Sequence, residues 1–158
     1  MIKYMNLIGI KARKASEYKV TTEVKNKVLN DYAKLIKNEK KYIINQNSKD
    51  INYARKKGLK ENLVKRLHLN ENKLDGIINS ILKIAKLKDP IDNTLDKWKR
   101  PNGLNIKRVS IPIGVIGVIY ESRPNVTSDV ASLCFKSGNV VILKGGSEAI
   151  NSNKALAK

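Results

Sequence analysis

Two groups of polar residues follow directly after two apolar runs near the end of the chain. Residues Glu121–Asn125 follow the run Val115–Tyr120, and residues Lys144–Glu148 follow the run Val140–Leu143. Ligands of open α/β sheets bind beyond the carboxyl ends of the strands. We therefore expect these two groups to lie together at one edge of a parallel sheet and to form part of a binding site.

The residue types in these groups suit particular chemistry. The amide of Asn125 is a donor that could face a developing oxyanion, and Pro124 stiffens the loop before it. Lys144 stands beside two glycines that lead into a helix, an arrangement that suits phosphate or ribose hydroxyls. Each residue also fits a simpler role on its own, because Asn125 could cap a helix and Lys144 could lie in a solvated turn.

The apolar runs predict the elements that would position these groups. We expect strands at Val115–Tyr120 and Val140–Leu143, with a helix at Thr127–Lys136 between them and Asn125 or Thr127 near its N-cap. A final helix begins near Ser147. Two parallel strands cannot cover their own faces and edges, so we expect that this chain carries half of a binding site and lacks the rest.

Residues 1–88 predict successive amphipathic helices. Ser48 is a candidate N-cap for a helix that reaches Lys57, and Gly58 would end it in the left-handed conformation. Asn70 is the candidate N-cap of a later helix, with Leu69 and Leu74 as its hydrophobic staple. The expected buried stripes are Val24, Val28, Tyr32, Leu35 and Ile36 in an early helix, and Leu74, Ile77, Ile78, Ile81 and Ala85 in the later one.

The segment from Asn93 predicts a β-hairpin. Arg100-Pro101-Asn102-Gly103 has proline at the second and glycine at the fourth position, as a type I turn prefers. This turn lies between the segments Leu95–Lys99 and Leu104–Ile111, which we expect to be the paired strands.

Other residues that attract attention have simpler interpretations. Gly114 and Gly117 lie inside a strand, whereas a dinucleotide fingerprint needs its glycines after the strand, so we expect them to allow close backbone packing. Cys134 lies mid-helix among apolar residues and reads as a small hydrophobe rather than a nucleophile. His68, the only histidine, reads as a surface or packing residue.

The composition argues against several classes of protein and of site. A lone cysteine allows neither an internal disulfide nor a cysteine-based metal cluster, and no apolar run approaches the ~20 residues of a membrane span, so a cytoplasmic protein is expected. The 32 Lys+Arg against 14 Asp+Glu give a net charge of +18. Such a charge raises nucleic acid as a partner, but arginine and aromatic residues are scarce and the excess is better explained by lysine-rich exposed helix faces.

The segment GVIGVIYESRPNVTSDVASLCFKSGNVVILKGGSEAINSN closely resembles the gamma-glutamyl phosphate reductases (glutamate-5-semialdehyde dehydrogenases) of the aldehyde dehydrogenase superfamily. ASEYKV, DINYARKKGL and LVKRLHLN extend the likeness, in the expected order, over the helical region. The resemblance implies an α/β, aldehyde-dehydrogenase-like fold, of which this chain would be the N-terminal portion. Residues 1–92 would be the helical part of the cofactor domain, 93–112 an oligomerisation hairpin, and 113–158 the start of an incomplete Rossmann-like sheet.

The resemblance also implies an activity and roles for four residues. The family reduces L-glutamyl 5-phosphate with NADPH to glutamate 5-semialdehyde in proline biosynthesis, through a cysteine thioester. Asn125 matches the oxyanion-hole asparagine, and Lys144 matches the lysine that holds the adenosine ribose of NADPH. Ser147 or Glu148 is the neighbouring cofactor-binding position, and a serine there would leave room for the 2′-phosphate of NADP.

One part of the family pattern is missing from this sequence. The nucleophilic cysteine belongs to a catalytic-domain motif further along the family's chain, and Cys134 matches a structural helix position instead. We therefore expect the isolated chain to be inactive and poorly folded. Three interpretations stay open: the N-terminal portion of a homo-oligomeric reductase, a non-catalytic subunit that needs a partner chain, and, last, a basic nucleic-acid-binding protein.

Overall fold

A computed structural model describes residues 2–158, which form seven α-helices and two small sheets of two strands each. No helix among these residues is long and apolar enough to cross a membrane. The elements are α1 (Ile2–Ser16), α2 (Thr22–Asn38), α3 (Lys40–Lys56), α4 (Glu61–Leu67), α5 (Glu71–Lys86), β1 (Thr94–Lys99), β2 (Asn105–Val109), β3 (Val115–Tyr120), α6 (Asn125–Lys136), β4 (Val140–Gly145) and α7 (Ile150–Ala157).

The main core lies between helices rather than under a sheet. Helix α2 packs most extensively against α5, while α6 covers α5 and α7 lies against α3. The side chains of Leu74 and Ile81 are fully buried in this core. Its other buried members are Leu29, Ala33, Ile36, Ile43, Leu69, Ile77, Ile78, Ile84, Ala85 and Leu156.

Helix α5 follows its prediction from the sequence. The side chain of Asn70 accepts a hydrogen bond of 2.9 Å from the N–H of Lys73, as an N-cap does. Leu69 and Leu74 on either side of the cap are both buried. The predicted stripe of Leu74, Ile77, Ile78, Ile81 and Ala85 is the buried face of this helix, so the prediction is confirmed.

The predicted stripe of α2 is only partly confirmed. Ile36 is buried and Tyr32 packs partly buried against the core, as expected. Val24, Val28 and Leu35 are exposed, however, and Lys25, Leu29 and Ala33 are buried in their place. A long-range ion pair makes this face possible: the Lys25 ammonium lies 2.8 Å from the carboxylate of Asp89, so the buried lysine is paired. Sequence periodicity assigns charged residues such as Lys25 to the exposed face of a helix. Applied to α2, this rule predicts a neighbouring face as the buried one.

The predicted start of a helix at Ser48 is also wrong. Helix α3 runs without a break from Lys40 to Lys56. The Ser48 hydroxyl donates instead to the carbonyl of Ile44 at 3.0 Å, a bond that a mid-helix serine makes along its own helix. Gly58, with φ of 69°, does follow the helix in the left-handed conformation that was expected.

Strands β1 and β2 form the predicted hairpin, although β1 begins one residue earlier than the sequence suggested and β2 is shorter at both ends. They pair antiparallel, with Lys99 opposite Asn105 at the turn. The N–H of Gly103 donates to the carbonyl of Arg100 at 2.9 Å, and Gly103 has a φ of 87°, which glycine adopts without strain. The exposed large apolar residues of the hairpin are Leu95, Trp98, Leu104 and Val109.

Strands β3 and β4 pair in parallel, joined through α6. Strand β3 has the predicted bounds, and β4 continues two residues beyond its predicted end. Helices α6 and α1 pack against this sheet, but Ile119 of β3 is 80% exposed, and Ile113, two residues before β3, is 84% exposed. The structure is thus mixed α/β, with apolar surface on the parallel sheet that these residues do not cover.

Tyr32 gives the fold a pH dependence in alkali. Its hydroxyl donates to the carbonyl of Leu156 at 2.7 Å, and burial raises the pKa of Tyr32 to about 12, with the charge of Asp129 adding to the effect. A raised pKa means that this stabilisation is present below pH 10 and is lost as the pH rises toward 12. We expect the free energy of unfolding to fall by about 1.4 kcal/mol per pH unit in that window.

Urea unfolding of the wild type and of Tyr32→Phe from pH 9 to pH 12 checks this expectation. The variant has no phenol at position 32 to ionise. The difference in the free energy of unfolding between the wild type and the variant should therefore shrink as the pH rises. Deprotonation of the lysines affects both proteins equally and cancels in this difference. Two curves that stay parallel up to pH 12 would contradict the assignment.

Candidate functional site

The two polar groups lie side by side at the carboxyl edge of the parallel sheet. Residues Ile119 and Tyr120 of β3 stand opposite Lys144 and Gly145 of β4, so both strands end at the same level. A hydrogen bond from Ser122 to Glu148 joins the two loops directly. The sequence-based expectation that the groups meet at one edge is confirmed.

Asn125 is the first residue of α6 and does not cap it. Pro124 before it already has helical dihedral angles, and the side-chain nitrogen of Asn125 donates to a carboxylate oxygen of Asp129 at 3.0 Å. Thr127 does not cap the helix either, since its hydroxyl bonds to other side chains. Asn125 therefore lies next to the N-cap, as expected, but neither Asn125 nor Thr127 caps the helix with its side chain. An amide nitrogen carries two hydrogens, and Asp129 takes one of them.

Ser122 is held in a conformation that serine rarely adopts. Its φ of 40° lies in the left-handed region, and it is only 6% exposed. Its N–H and its hydroxyl both donate to Oε1 of Glu148, at 2.7 and 3.0 Å. Backbone strain of this kind persists only where surrounding contacts enforce it.

The carboxylate of Glu148 is stabilised in its charged form. Burial alone would raise the pKa of Glu148, but hydrogen bonds from its own N–H and from Ser122, together with the charge of Lys144, outweigh burial and lower it. Glu148 is therefore a carboxylate at neutral pH, with a lysine of the same loop close enough to influence it.

Side chains occupy the space next to Gly145 and Gly146, so a Cβ at either position would force a neighbouring side chain to move. A Cβ on Gly145 would collide with the amide nitrogen of Asn153 and press against the Tyr120 ring at 3.1 Å. A Cβ on Gly146 would collide with the Glu148 carboxylate. These two glycines thus let the neighbouring side chains close over the loop.

A short chain of hydrogen bonds joins the elements beside this edge of the sheet. The Tyr120 hydroxyl and the Thr127 hydroxyl lie 2.6 Å apart, and Thr127 donates to the Asn153 side-chain oxygen at 3.1 Å. The end of β3, the first turn of α6 and helix α7 are therefore tied together beside the two loops.

The N-terminus of α7 is occupied by a protein carboxylate. Asp50, which is 1% exposed, accepts from the N–H groups of Asn151 and Ser152 at 3.1 and 2.7 Å and also from both of their side chains, at 2.7 and 2.6 Å. Asn47 extends the network by donating to the Ser152 hydroxyl at 3.0 Å. Asp50 thus takes the N–H groups of Asn151 and Ser152, while the expectation that the Lys144 loop suits phosphate or ribose hydroxyls stays a prediction.

The remaining donors at the edge fit sugar hydroxyls. Lys144 is exposed at the end of β4, and Ser147 is exposed in the 3₁₀ turn Ser147–Ala149 that precedes α7. Glu148 lies between them and Ser122 and is partly buried. An ammonium, a hydroxyl and a carboxylate around a loop without side chains at Gly145 and Gly146 form a donor and acceptor set that fits the ribose of a nucleotide.

The other residues considered from the sequence lie away from this edge. Cys134 is buried in α6, and burial raises the pKa of its thiol, which fits a small packed residue rather than a nucleophile. His68 is exposed, and within residues 2–158 no group of His, Cys, Asp or Glu could hold a metal ion. The close-packing interpretation of Gly114 and Gly117 is wrong, because a Cβ on either would meet open space; Gly114 instead has a φ of 115°.

Sequence reasoning missed three residues that build the edge: Ser122, Asp129 and Asp50. Asp129 carried a signal, because it lies four residues after Asn125 on the same helix face. Ser122 carried none, since a serine with positive φ is not recognisable from its type. Asp50 carried none either, because its partners lie about one hundred positions later.

Known proteins are similar to almost the whole length of this chain. No family model matches it. The gamma-glutamyl phosphate reductases of Halothermothrix orenii and Clostridium tetani are 49% and 46% identical to it, over 96% and 99% of this chain and 37% of each relative. The chain thus spans little more than a third of the length of the curated relatives it matches.

Two solved structures share the fold. The gamma-glutamyl phosphate reductase of Thermotoga maritima superposes with a TM-score of 0.89 at 45% identity, over 92% of this chain and 36% of that one. The protein of the same name from Saccharomyces cerevisiae superposes with a TM-score of 0.92 at 33% identity, over 96% and 39%. The arrangement of helices and small sheets is therefore the one that those proteins have in their matching portion.

Proposed function

Since the chain is a homologue of the gamma-glutamyl phosphate reductases that matches their N-terminal portion, we propose that it forms the cofactor-binding part of such an enzyme. The whole enzyme would reduce L-glutamyl 5-phosphate with NADPH and release phosphate, as a step of proline biosynthesis. Residues 113–158 would be the start of the Rossmann-like sheet of an aldehyde-dehydrogenase-like fold. The nucleophilic cysteine would come from the portion that this chain does not include.

The observation that carries this proposal is the meeting of two loops at one sheet edge. The loop of Lys144 and the loop of Asn125 follow adjacent parallel strands and are joined by the Ser122–Glu148 hydrogen bonds. Nucleotide cofactors of α/β proteins bind at such an edge. The location agrees with the roles that the family resemblance gives to these residues.

The roles at this edge follow from the side chains. Lys144 would hold the adenosine ribose of NADPH, and the small Ser147 would leave room for the 2′-phosphate. Asn125 would donate its amide hydrogen to the oxyanion that forms on the substrate carbonyl. NADPH supplies the hydride when it is bound, and these residues of the chain bind and orient the reacting groups.

Replacing Lys144 by alanine is expected to weaken NADPH binding by about tenfold, the size of one lost charge-assisted hydrogen bond. Titration of the 158-residue chain with NADPH, followed by nucleotide fluorescence, measures this effect. Lys154→Ala on the exposed side of α7 is the matched control and should leave the dissociation constant unchanged. Equal affinities for wild type and Lys144→Ala would contradict the proposed role.

A second candidate function is that of a non-catalytic subunit that needs a companion chain. The observation that favours it is the exposure of Ile119 on β3 and of Ile113 two residues before that strand, which a companion chain would cover. The exposed apolar residues of the β1–β2 hairpin are similarly suited to pair subunits in a homo-oligomer. Recovery of NADPH-dependent turnover on adding a separately made C-terminal portion would support this second function.

A further inference from the structure

We propose that Glu148 is a positioning residue that fixes the spacing between the Asn125 loop and the Lys144 loop by holding Ser122. This inference rests on the proposed function and deepens it, because it gives one of the two candidate ribose-binding residues a different task. The task is to join the loops before any nucleotide arrives.

The hydrogen bonds show how the connection works. Oε1 of Glu148 accepts both the N–H and the hydroxyl of Ser122, at 2.7 and 3.0 Å, so two bonds converge on one oxygen. Bonds to a charged acceptor are roughly twice as strong as neutral ones. Ser122 is almost fully buried and lies three residues before Asn125, so a restraint on Ser122 also restrains the start of α6.

The backbone of both loops is shaped for this contact. Ser122 has a φ of 40°, which costs energy for serine and aims its N–H at the neighbouring loop. On the other side, Gly146 leaves the space that the Glu148 carboxylate occupies. A residue with a side chain at position 146 would push the carboxylate away from Ser122. The positive φ of Ser122 in one loop and the glycine at position 146 in the other therefore both allow the same pair of hydrogen bonds to form.

The same geometry argues against a ribose-binding role for Oε1. A ribose hydroxyl that bound Oε1 would have to displace the N–H or the hydroxyl of Ser122, so only Oε2 is left for a ligand. Lys144 of the same loop is exposed, by contrast, and is the side chain accessible to a nucleotide. The two residues thus have different roles. Lys144 contacts the cofactor, and Glu148 fixes the position of the Lys144 loop relative to Asn125.

Hydrogen exchange of the Ser122 amide, followed by NMR on the 158-residue chain without nucleotide, tests the connection. Glu148→Ala and Gly146→Ala should each speed this exchange at least tenfold, while amides in the α5 core keep their wild-type rates. Glu148→Gln keeps an acceptor oxygen and should restore most of the protection. Glu61→Ala, which removes an exposed carboxylate on α4, is the control and should change nothing.

NADPH titration of the same variants completes the test. Glu148→Ala and Gly146→Ala should weaken NADPH binding about fivefold, and Glu148→Gln should weaken it less, because it keeps the acceptor oxygen and loses only the charge. Unchanged Ser122 exchange in Glu148→Ala would overturn the proposal, and so would a Glu148→Gln variant that loses as much affinity as Glu148→Ala with Ser122 still protected. If the wild type binds no NADPH, the proposed function fails, while the exchange measurement still decides whether Glu148 holds Ser122.

Discussion

Asn125→Ala is expected to lower kcat by about 10²–10³-fold in a chimera that joins this chain to the rest of the Halothermothrix orenii gamma-glutamyl phosphate reductase. The amide of Asn125 has one hydrogen engaged by Asp129 at 3.0 Å, which fixes its orientation at the start of α6. The other hydrogen would stabilise the oxyanion, and removing one such donor typically has an effect of this size. Steady-state NADPH oxidation measures the loss.

The effect should fall on kcat and leave the fold intact. Asn125 is partly buried, and its side chain contacts only its own helix through Asp129, so the melting temperature should change little. Asn62→Ala on the exposed surface of α4 is the matched control and should retain full activity. An Asn125→Ala chimera with kcat within threefold of the parent would remove the oxyanion role.

Asp50→Ala is expected to destabilise the chain by about 3 kcal/mol, because it leaves buried donors without a partner. Asp50 accepts four hydrogen bonds from the start of α7 and connects that helix to α3. Without it, the N–H groups of Asn151 and Ser152 lose their cap, and the N–H of Ser152 does so in the buried interior. Since α7 follows the Lys144 loop directly, the loss should also loosen the nucleotide edge.

Urea unfolding followed by circular dichroism measures this change in the free energy of unfolding. Asp31→Ala is the matched control: that carboxylate pairs with Lys27 on the surface of α2, with 47% of its side chain exposed, and exposed pairs contribute about 0–1 kcal/mol. A loss below about 1 kcal/mol in Asp50→Ala would show that the buried network does not hold α7.

Local signals in the sequence predicted much of the fold. The cap at Asn70, the turn before Leu104, the left-handed Gly58 and the bounds of β3 are all present in the structure. Each depends on residues within a few positions of one another, and such short-range preferences survive folding because they agree with the packing around them.

Long-range contacts account for what the sequence could not predict. The buried face of α2 depends on the pair Lys25–Asp89, which joins positions far apart in the chain. The start of α7 is set by Asp50 in the same way. At the site, strand order predicted that the loops of Asn125 and Lys144 meet, but not which side chains join them. The strained Ser122 is visible only once Glu148 is in place beside it.

NADPH-dependent turnover by the unmutated chimera is the most direct test of the account. The chimera replaces the matching portion of the Halothermothrix orenii protein with this chain, and its reverse reaction couples glutamate 5-semialdehyde and phosphate to reduction of NADP. We expect turnover within tenfold of the natural relative, and none from the 158-residue chain alone. A chimera that folds with the melting behaviour of the relative but shows no turnover with NADP would contradict the claim that this chain carries the cofactor-binding half of the site.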